Sequence, residues 1–492
     1  MAQRVMSSLL SWLFPTWVQQ PAKIPTDTVV KLSAIENSWL MRSMNTNWSL
    51  RFNEVLDTVR LQQALEKLIT IGPNWRKLGG RFRLDENGHL ELHIPAEFTS
   101  SRPPVQFTSE EHNMSINQNV LNEILPSNWE RPCIIDVPER FDDILAGPNA
   151  PVCFKDWIYT DRPVLAVHVI NFQDATFITL TYSHSLIDGV GKLEIMLNWC
   201  KVLAGRMEDV TPMAAFDDDP FRTIVESSNK HSAEAYLHEG KRLMGWQKYY
   251  WLLRMIGYLF RFRNRRQRNL VIPSSTVMKI REEAERTHSD DYLSDNQLIT
   301  AWLVRMACSP LLNTNRPIGI SSAVDLRGFQ LGGIQPKTVY LQNLLTFTWT
   351  NIDANFLFHQ PLGVVASQMR SSLKEQLSIE QVEAGARLTY NAMARRGTID
   401  LYTDKNSFVV TVSSLAKAKY WEVLDFGPAV IGGGEKGQRS AKPAWQSSTA
   451  RSGIKRPNMI VLQGKDLMGN WFAQMMLSDH IWNTISIELG KW

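Results

Sequence analysis

Stretches of two-residue and of helical periodicity alternate along this chain of 492 residues, which predicts an α/β fold. The length exceeds what one hydrophobic core ordinarily fills, which predicts two large domains. A third observation divides them. Residues 206–240 are charged and broken by proline and serine, most sharply at Phe216-Asp-Asp-Asp-Pro220, and they read as the start of a connection that runs on through a basic segment to Pro273. The expected organisation is an N-terminal domain over 1–205, a connection over 206–275 and a C-terminal domain over 276–492.

Taken in order, residues 26–52 hold Val30 to Asn37 and then a mixed run ending at Phe52. Leu61, Ala64, Leu65 and Leu68 share one helical face, and Gly72-Pro73 ends that helix. Gly79 to Leu84 leads into the hairpin signal Asp85-Glu-Asn-Gly88, and Leu90 to Ile94 is the returning strand. A helix is expected near 117–125. Val164 to Phe172 alternates as a strand, Gln173-Asp174 turn, and Thr176 to His184 pairs back on it. Leu193, Met196, Leu197, Cys200 and Leu203 then fall at helical spacing, with Gly205 as the stop.

In the second half, Ser294 reads as the N-cap of a helix carrying Leu298, Ala301, Trp302 and Arg305. Ile318 to Val324 is a buried strand ending in Asp325-Leu-Arg327, and Leu341 to Trp349 is another. Residues 360–395 read as mostly helical, Phe408 to Val412 as a strand ending in Ser413-Ser414, and Met459 to Leu462 with Trp471 to Leu477 as a closing hairpin.

Composition excludes several classes of function. At 44% hydrophobic and 21% charged the chain is globular, and a net charge of +4 with no nucleic-acid-binding signature argues against a nucleic-acid partner. Cys133, Cys153, Cys200 and Cys308 form neither a metal spacing nor a disulfide framework, so no metal and a reducing, cytoplasmic setting are expected. Val5 to Val18 is apolar but shorter than the ~20 residues a bilayer span needs, and Pro15 interrupts it. Residues 246–268 are aromatic and end in Arg263, Arg265, Arg266 and Arg268. They read as a connecting helix with a solvated basic end, or as one that touches an internal membrane peripherally.

The chemistry concentrates at His184-Ser-Leu-Ile-Asp188-Gly189. Alternation puts His184 at a strand end on the face of Ile178, Leu180 and Tyr182, and Gly189 permits the turn that follows. That geometry suits a general base. The bare motif is equally a strand-end histidine beside a turn-forming Asp-Gly, and Gly189 argues against a metal pair on one helix. Gly432 and Gly437 have phosphate-loop spacing, but Gln438-Arg439 stand where Lys and Ser or Thr belong, and no Gly-x-Ser-x-Gly occurs.

In company the motif gains specificity. His184-x-x-x-Asp188-Gly189, then Asp325-x-Arg327, then Pro336 and Tyr340-Leu-Gln-Asn343, then Asp425-Phe426-Gly427 near the C-terminus, follow one another as in the BAHD acyl-CoA-dependent acyltransferases, and the chain resembles that family and especially its fungal secondary-metabolism branch. Leu61 to Leu68, Gly79-Gly80-Arg81 and Ser294 to Arg305 are similar to its other segments. Pro428-Ala429 stand where Trp-Gly would complete the second signature, Leu415 replaces a frequent Trp, and Gln342 replaces the glycine of Tyr-x-Gly-Asn.

The resemblance implies two similar mixed-sheet α/β domains joined by a long crossover, with an active-site channel at their interface. It implies transfer of an acyl group, acetyl in the first instance, from acyl-CoA to a hydroxyl of an apolar metabolite such as a terpenoid or meroterpenoid. No permanently bound cofactor is implied, and a monomer is expected. In that reading His184 is the base, and Asp188 turns away to pair with Arg327. Ser413 and Ser414 are candidates for holding the oxyanion, or bond to backbone at the strand end. Asp425, Phe426 and Gly427 shape a loop near the coenzyme channel. Two alternatives remain: a condensation-type domain fed by carrier-bound thioesters, against which Ser183 stands where such domains carry a first histidine, and a non-catalytic binding protein on the same scaffold.

Overall fold

The computed structural model describes residues 19–125, 130–215, 218–231, 234–287, 292–431, 440–451 and 457–492. The apolar stretch Val5 to Val18 and the Gly432-Gly-Gly434 run lie outside the described residues.

A small antiparallel sheet joins β1 (Thr28–Lys31), β4 (Leu90–Ile94) and β3 (Arg81–Leu84), in that order. The β3–β4 hairpin turns at Asp85 to Gly88, where the glycine takes φ 74°. The first large sheet has the order β13 (Trp445–Arg451), β2 (Asn45–Phe52), β8 (Thr176–Ser183), β7 (Leu165–Asn171) and β5 (Gln106–Glu111). The second has the order β11 (Leu345–Asp353), β10 (Pro317–Asp325), β12 (Phe408–Ser414), β14 (Met459–Lys465), β15 (Trp471–Ser478), β9 (Arg265–Ile272) and β6 (Cys133–Asp136). Both sheets mix parallel and antiparallel pairs. Helices pack against them, and each has its own apolar core.

The two sheets exchange edge material. β13, late in the chain, pairs antiparallel with β2 in the first sheet, while β6, early in the chain, pairs with β9 in the second. β7 and β8 are buried along their whole lengths, because helices cover one face and the second sheet approaches the other end.

Several elements differ from the sequence expectation, among them the following. The helix near 117–125 is two short 3₁₀ turns, Ile116–Gln118 and Val120–Ile124, because Ser115 and Asn119 each cap the turn that follows and Asn119 takes an extended backbone between them. A C-terminal helix, Asp479–Leu489, follows the closing hairpin. The basic tail of 246–268 is not helical. The helix ends at Arg261, and Arg265, Arg266 and Arg268 belong to β9, a central strand whose alternation is masked by arginines that find carboxylates nearby. Arg266 pairs with Asp136 and Asp479, and Arg268 with Asp136.

Candidate active site

His184 follows the last residue of β8. Its own backbone holds it from two directions: its N–H donates to the Met44 carbonyl at 3.0 Å, and its carbonyl accepts from Asn343 Nδ2 at 2.8 Å. Asn343 is in turn clamped by buried Glu36, whose Oε1 accepts from the Asn343 backbone N–H at 3.0 Å and side chain at 3.2 Å. Burial pushes the Glu36 carboxyl up to about 6. Two residues from the segment between β1 and β2, Glu36 and Met44, and one from just before β11, Asn343, thus position one histidine.

Asp188 caps the Gly189–Leu203 helix, Oδ1 accepting from the N–H groups of Val190 at 3.0 Å and Gly191 at 2.8 Å. Its Oδ2 accepts from Arg327 Nη2 at 3.0 Å and from the Leu344 N–H at 3.3 Å. Four donors occupy the carboxylate, which leaves it little capacity to serve as a base. Arg327 also donates to Asp325 at 2.7 Å and to the carbonyls of Tyr340 at 3.0 Å and Gln342 at 2.7 Å, so one guanidinium joins the helix start to the loop after β10. Gly191 is needed for this close approach: a Cβ there would sit 2.5 Å from the Leu341 carbonyl oxygen. Gly189 is similarly pressed, its Cβ position lying 3.0 Å from Leu415.

A cavity of about 230 Å³ opens between the two large sheets. Tyr182, His184 and Lys192 line it from the first sheet and its helix, and Ser413, Gln463 and Gln474 from the second. The two candidate serines part here. Both line the cavity, but Ser414 Oγ donates to Asn296 Oδ1 at 2.7 Å, whereas Ser413 has no side-chain hydrogen bond to any of the described residues. Cys200 is buried on the helix, and burial pushes its thiol up to about 12, so it stays a thiol.

The second signature lies elsewhere. Asp425 Oδ1 accepts from the N–H groups of Gly427 at 2.9 Å and Ala441 at 2.8 Å, and its Oδ2 from Ser440 Oγ at 2.8 Å. Phe426 is buried between Phe52 and Trp199 at centroid distances of 5.2 and 5.3 Å. None of Asp425, Phe426 and Gly427 is among the residues lining the cavity. They fasten a loop to the first core.

Lys192 went unnoticed in the sequence. It is almost fully buried, with Nζ 4.2 Å from the Trp48 ring and 5.4 Å from the Tyr420 ring, and burial pulls its amine down to about 7 against the opposing pull of Asp188. The available signal was a lysine four residues after Asp188 on a helix otherwise apolar nearly all round. Glu36 left no such signal.

A two-sheet fold with a histidine at a strand end facing the shared cavity, and its partner aspartate tied off in a cap and an ion pair, is that of the BAHD-type acyltransferases. Residues 154–429 match the Transferase family. The chain is 32% identical over 487 residues to a protein named transcriptional regulator calD of Penicillium decumbens, covering 96% of this chain and 97% of that one. It is 30% identical over 489 residues to acetyltransferase adrJ of Penicillium roqueforti, covering 96% and 97%. The fold superposes on TRI101 of F. sporotrichioides complexed with coenzyme A and T-2 with a TM-score of 0.62 at 16% identity, covering 94% of this chain and 99% of that one. The chain belongs to the Transferase family. No helix among the described residues is long and apolar enough to cross a membrane.

Proposed function

We propose that this acyl-CoA-dependent O-acyltransferase moves an acetyl group from acetyl-CoA to a hydroxyl of an apolar secondary metabolite such as a terpenoid or meroterpenoid, with His184 as the general base. The supporting observation is the site itself: His184 faces a cavity between two domains while every oxygen of its neighbour Asp188 is already engaged. Neutral imidazole takes the hydroxyl proton as the oxygen attacks the thioester carbonyl. Ser413 donates to the oxygen that gains charge, the C–S bond breaks, and the protonated imidazole returns the proton to the leaving sulfur. The cavity holds donor and acceptor in one orientation, which replaces a three-body encounter with a single oriented step. The acetyl group is supported by the acetyltransferase name of adrJ, and a small-molecule acceptor by the T-2 complex of TRI101.

The experiment is direct. Purified protein with acetyl-CoA and hydroxylated terpenoids should release free coenzyme thiol in step with ester formed. Ester formation only from a carrier-bound thioester would favour the condensation-type alternative. The name of the calD relative favours a second reading, a non-catalytic binding protein, and total absence of thiol release would support it.

We also infer peripheral contact with an anionic membrane surface. The Gly245–Arg261 helix has no buried residue, and Trp246, Tyr249, Leu253, Ile256 and Phe260 form an exposed stripe at alternating three- and four-residue spacing. Trp251 and Tyr258 on the opposite edge hold it to the Ser407 carbonyl and to Asn458. No acidic residue occurs between Glu239 and Glu282, and Arg254, Arg261 and Arg263 are exposed beside the stripe. Wild type should co-sediment with anionic liposomes at low salt, and replacing Trp246, Tyr249, Leu253 and Phe260 by Ser should abolish it. No sedimentation of wild type ends the idea.

A further inference from the structure

The floor of the cavity contains polar atoms that the acyl-transfer steps do not use. On β14, Met459, Val461 and Gln463 point the same way into it, and on β15 Gln474 and Met476 do so from the neighbouring strand. Such a face would normally be apolar throughout. Instead two glutamines stand side by side, 4% and 7% exposed. Gln463 Nε2 donates to Gln474 Oε1 at 3.2 Å. That bond uses one group of each amide and leaves one carbonyl oxygen, Gln463 Oε1, and one NH₂, Gln474 Nε2, buried without a protein partner among the described residues. Exchanging the two ends of both amides changes which residue supplies which group, but still leaves one acceptor and one donor.

The backbone is built around this pair. The β14–β15 register pairs Leu462 with Ala473 and Gly464 with Phe472, so Gln463 is the extra residue of a β-bulge. Gly464 takes φ 114°, and a Cβ there would stand 3.3 Å from Ala416 Cα. A bulge beside a site re-aims one side chain. The amide-bearing patch extends to β9, but there each NH₂ has a partner: Gln267 donates to the Ser448 carbonyl at 3.0 Å and Asn269 to Ser447 Oγ at 3.0 Å, tying β9 to β13 across the interface. The Gln463–Gln474 pair instead keeps two unused valences buried beside the cavity that both side chains line. Leaving a buried amide group unpaired costs about 1–3 kcal/mol, so the arrangement makes physical sense when a ligand completes it.

We propose that Gln463 and Gln474 form a recognition subsite for a second hydroxyl of the acceptor, distinct from the hydroxyl that is acylated. A hydroxyl accepts from the NH₂ and donates to the carbonyl, which closes both open valences with one atom. A carbonyl or ether oxygen closes only one, and a methyl neither. The acceptor class is therefore an apolar skeleton carrying at least two oxygens: one hydroxyl at His184 and another reaching the amide pair on the opposite sheet. The proposal rests on the acyl-transfer reading given above. The secondary amides and the hydroxyl of the donor's pantetheine arm share this chemistry, so the test separates donor from acceptor.

The test measures kcat and KM of the whole protein with acetyl-CoA and matched probes, a terpenoid mono-ol and the diol of the same skeleton, with thiol release and ester formation as readouts. Wild type should prefer the diol by roughly 10- to 100-fold in kcat/KM, the fold-change that corresponds to a cost of about 1–3 kcal/mol for leaving a buried amide group unpaired. Gln463→Leu and Gln474→Met should each reduce that preference to about threefold or less, with the change falling on KM for the diol. Equal use of mono-ol and diol by wild type overturns the proposal, and this arm stands even if a variant fails to fold. A rise in KM for acetyl-CoA in place of the diol also overturns it and assigns the pair to the donor's amides. Failure of the underlying reading looks different: wild type would then release no thiol with any alcohol.

Discussion

The two signature motifs are held by opposite kinds of contact. His184 to Gly189 sits at a strand end, its histidine anchored through its backbone N–H and carbonyl and lining the cavity. Asp425 to Gly427 is anchored through side chains: the carboxylate binds its own loop, and the phenyl ring fills a socket between Phe52 and Trp199. The same loop reaches further, with the Asp57 N–H donating to the Ala429 carbonyl at 2.7 Å. Recurrence of a motif thus says nothing about its job. The histidine is anchored through its backbone, whereas Asp188, Asp425 and Phe426 are fastened through their side chains.

That contrast can be broken or sharpened by substitution. His184→Ala should lower kcat by roughly 10²–10⁴ with an unchanged thermal melt, as for loss of a general base; near-normal turnover would move the base elsewhere. Ser413→Ala should cost roughly 10²–10³ in kcat if its hydroxyl meets the oxyanion, while Ser414→Ala, whose partner is Asn296, should change kcat only a few-fold; equal losses would undo the assignment. Phe426→Ala should do the reverse of His184→Ala. It should lose about 3–5 kcal/mol of stability in denaturant unfolding and keep the kcat of the molecules that remain folded.

Asp188→Ala and Arg327→Ala break the same ion pair, so a double-mutant cycle on stability should show coupling of about 1–3 kcal/mol. Strictly additive losses would mean that each residue acts through its other bonds.

The smallest effect concerns Lys192. Its amine titrates near 7 in the fold against 10.5 in the unfolded chain, so between those values the unfolded state binds the extra proton and stability rises with pH. Lys192→Met removes the buried amine and also its contact with Trp48. It should therefore stabilise the protein by on the order of 1 kcal/mol at pH 6, and the gain should vanish by about pH 10. A pH-independent difference in melting temperature would contradict the depressed amine.

What could be read from the sequence was local. The β7–turn–β8–helix unit announces itself through alternation, an Asp-containing turn and a change of period, all within 40 residues or so of chain. Ser294 and Gln297 form the capping box that the N-cap pattern suggests. Arg327 could be matched to Asp188 only through the order of motifs, since nothing near residue 327 points back 139 positions. The strand exchange was invisible for the same reason: β13 shows no sign that its partner lies some four hundred residues earlier. β9 was missed because arginines on a strand read as a solvated surface until Asp136 and Asp479 are brought alongside. Lys192, Gln463 and Gln474 escaped because polar residues on an alternating or helical face read as facing water. They face a cavity only once the second sheet is stacked against the first.

The edge position of β13 also sets a timetable. β2 is hydrogen-bonded to β8 on one side and to β13 on the other, and β13 is synthesised some four hundred residues after β2. Until then the nascent N-terminal half carries β2 as an open edge strand, with Trp48 lacking the Gln446 acceptor that its indole N–H meets in the finished protein. The first half is therefore a waiting intermediate, exposed to edge-to-edge pairing with its neighbours on a polysome, and the synthesis of β13 closes it. A chain stopped before Trp445 should accumulate as aggregate even though most of its N-terminal core residues are present.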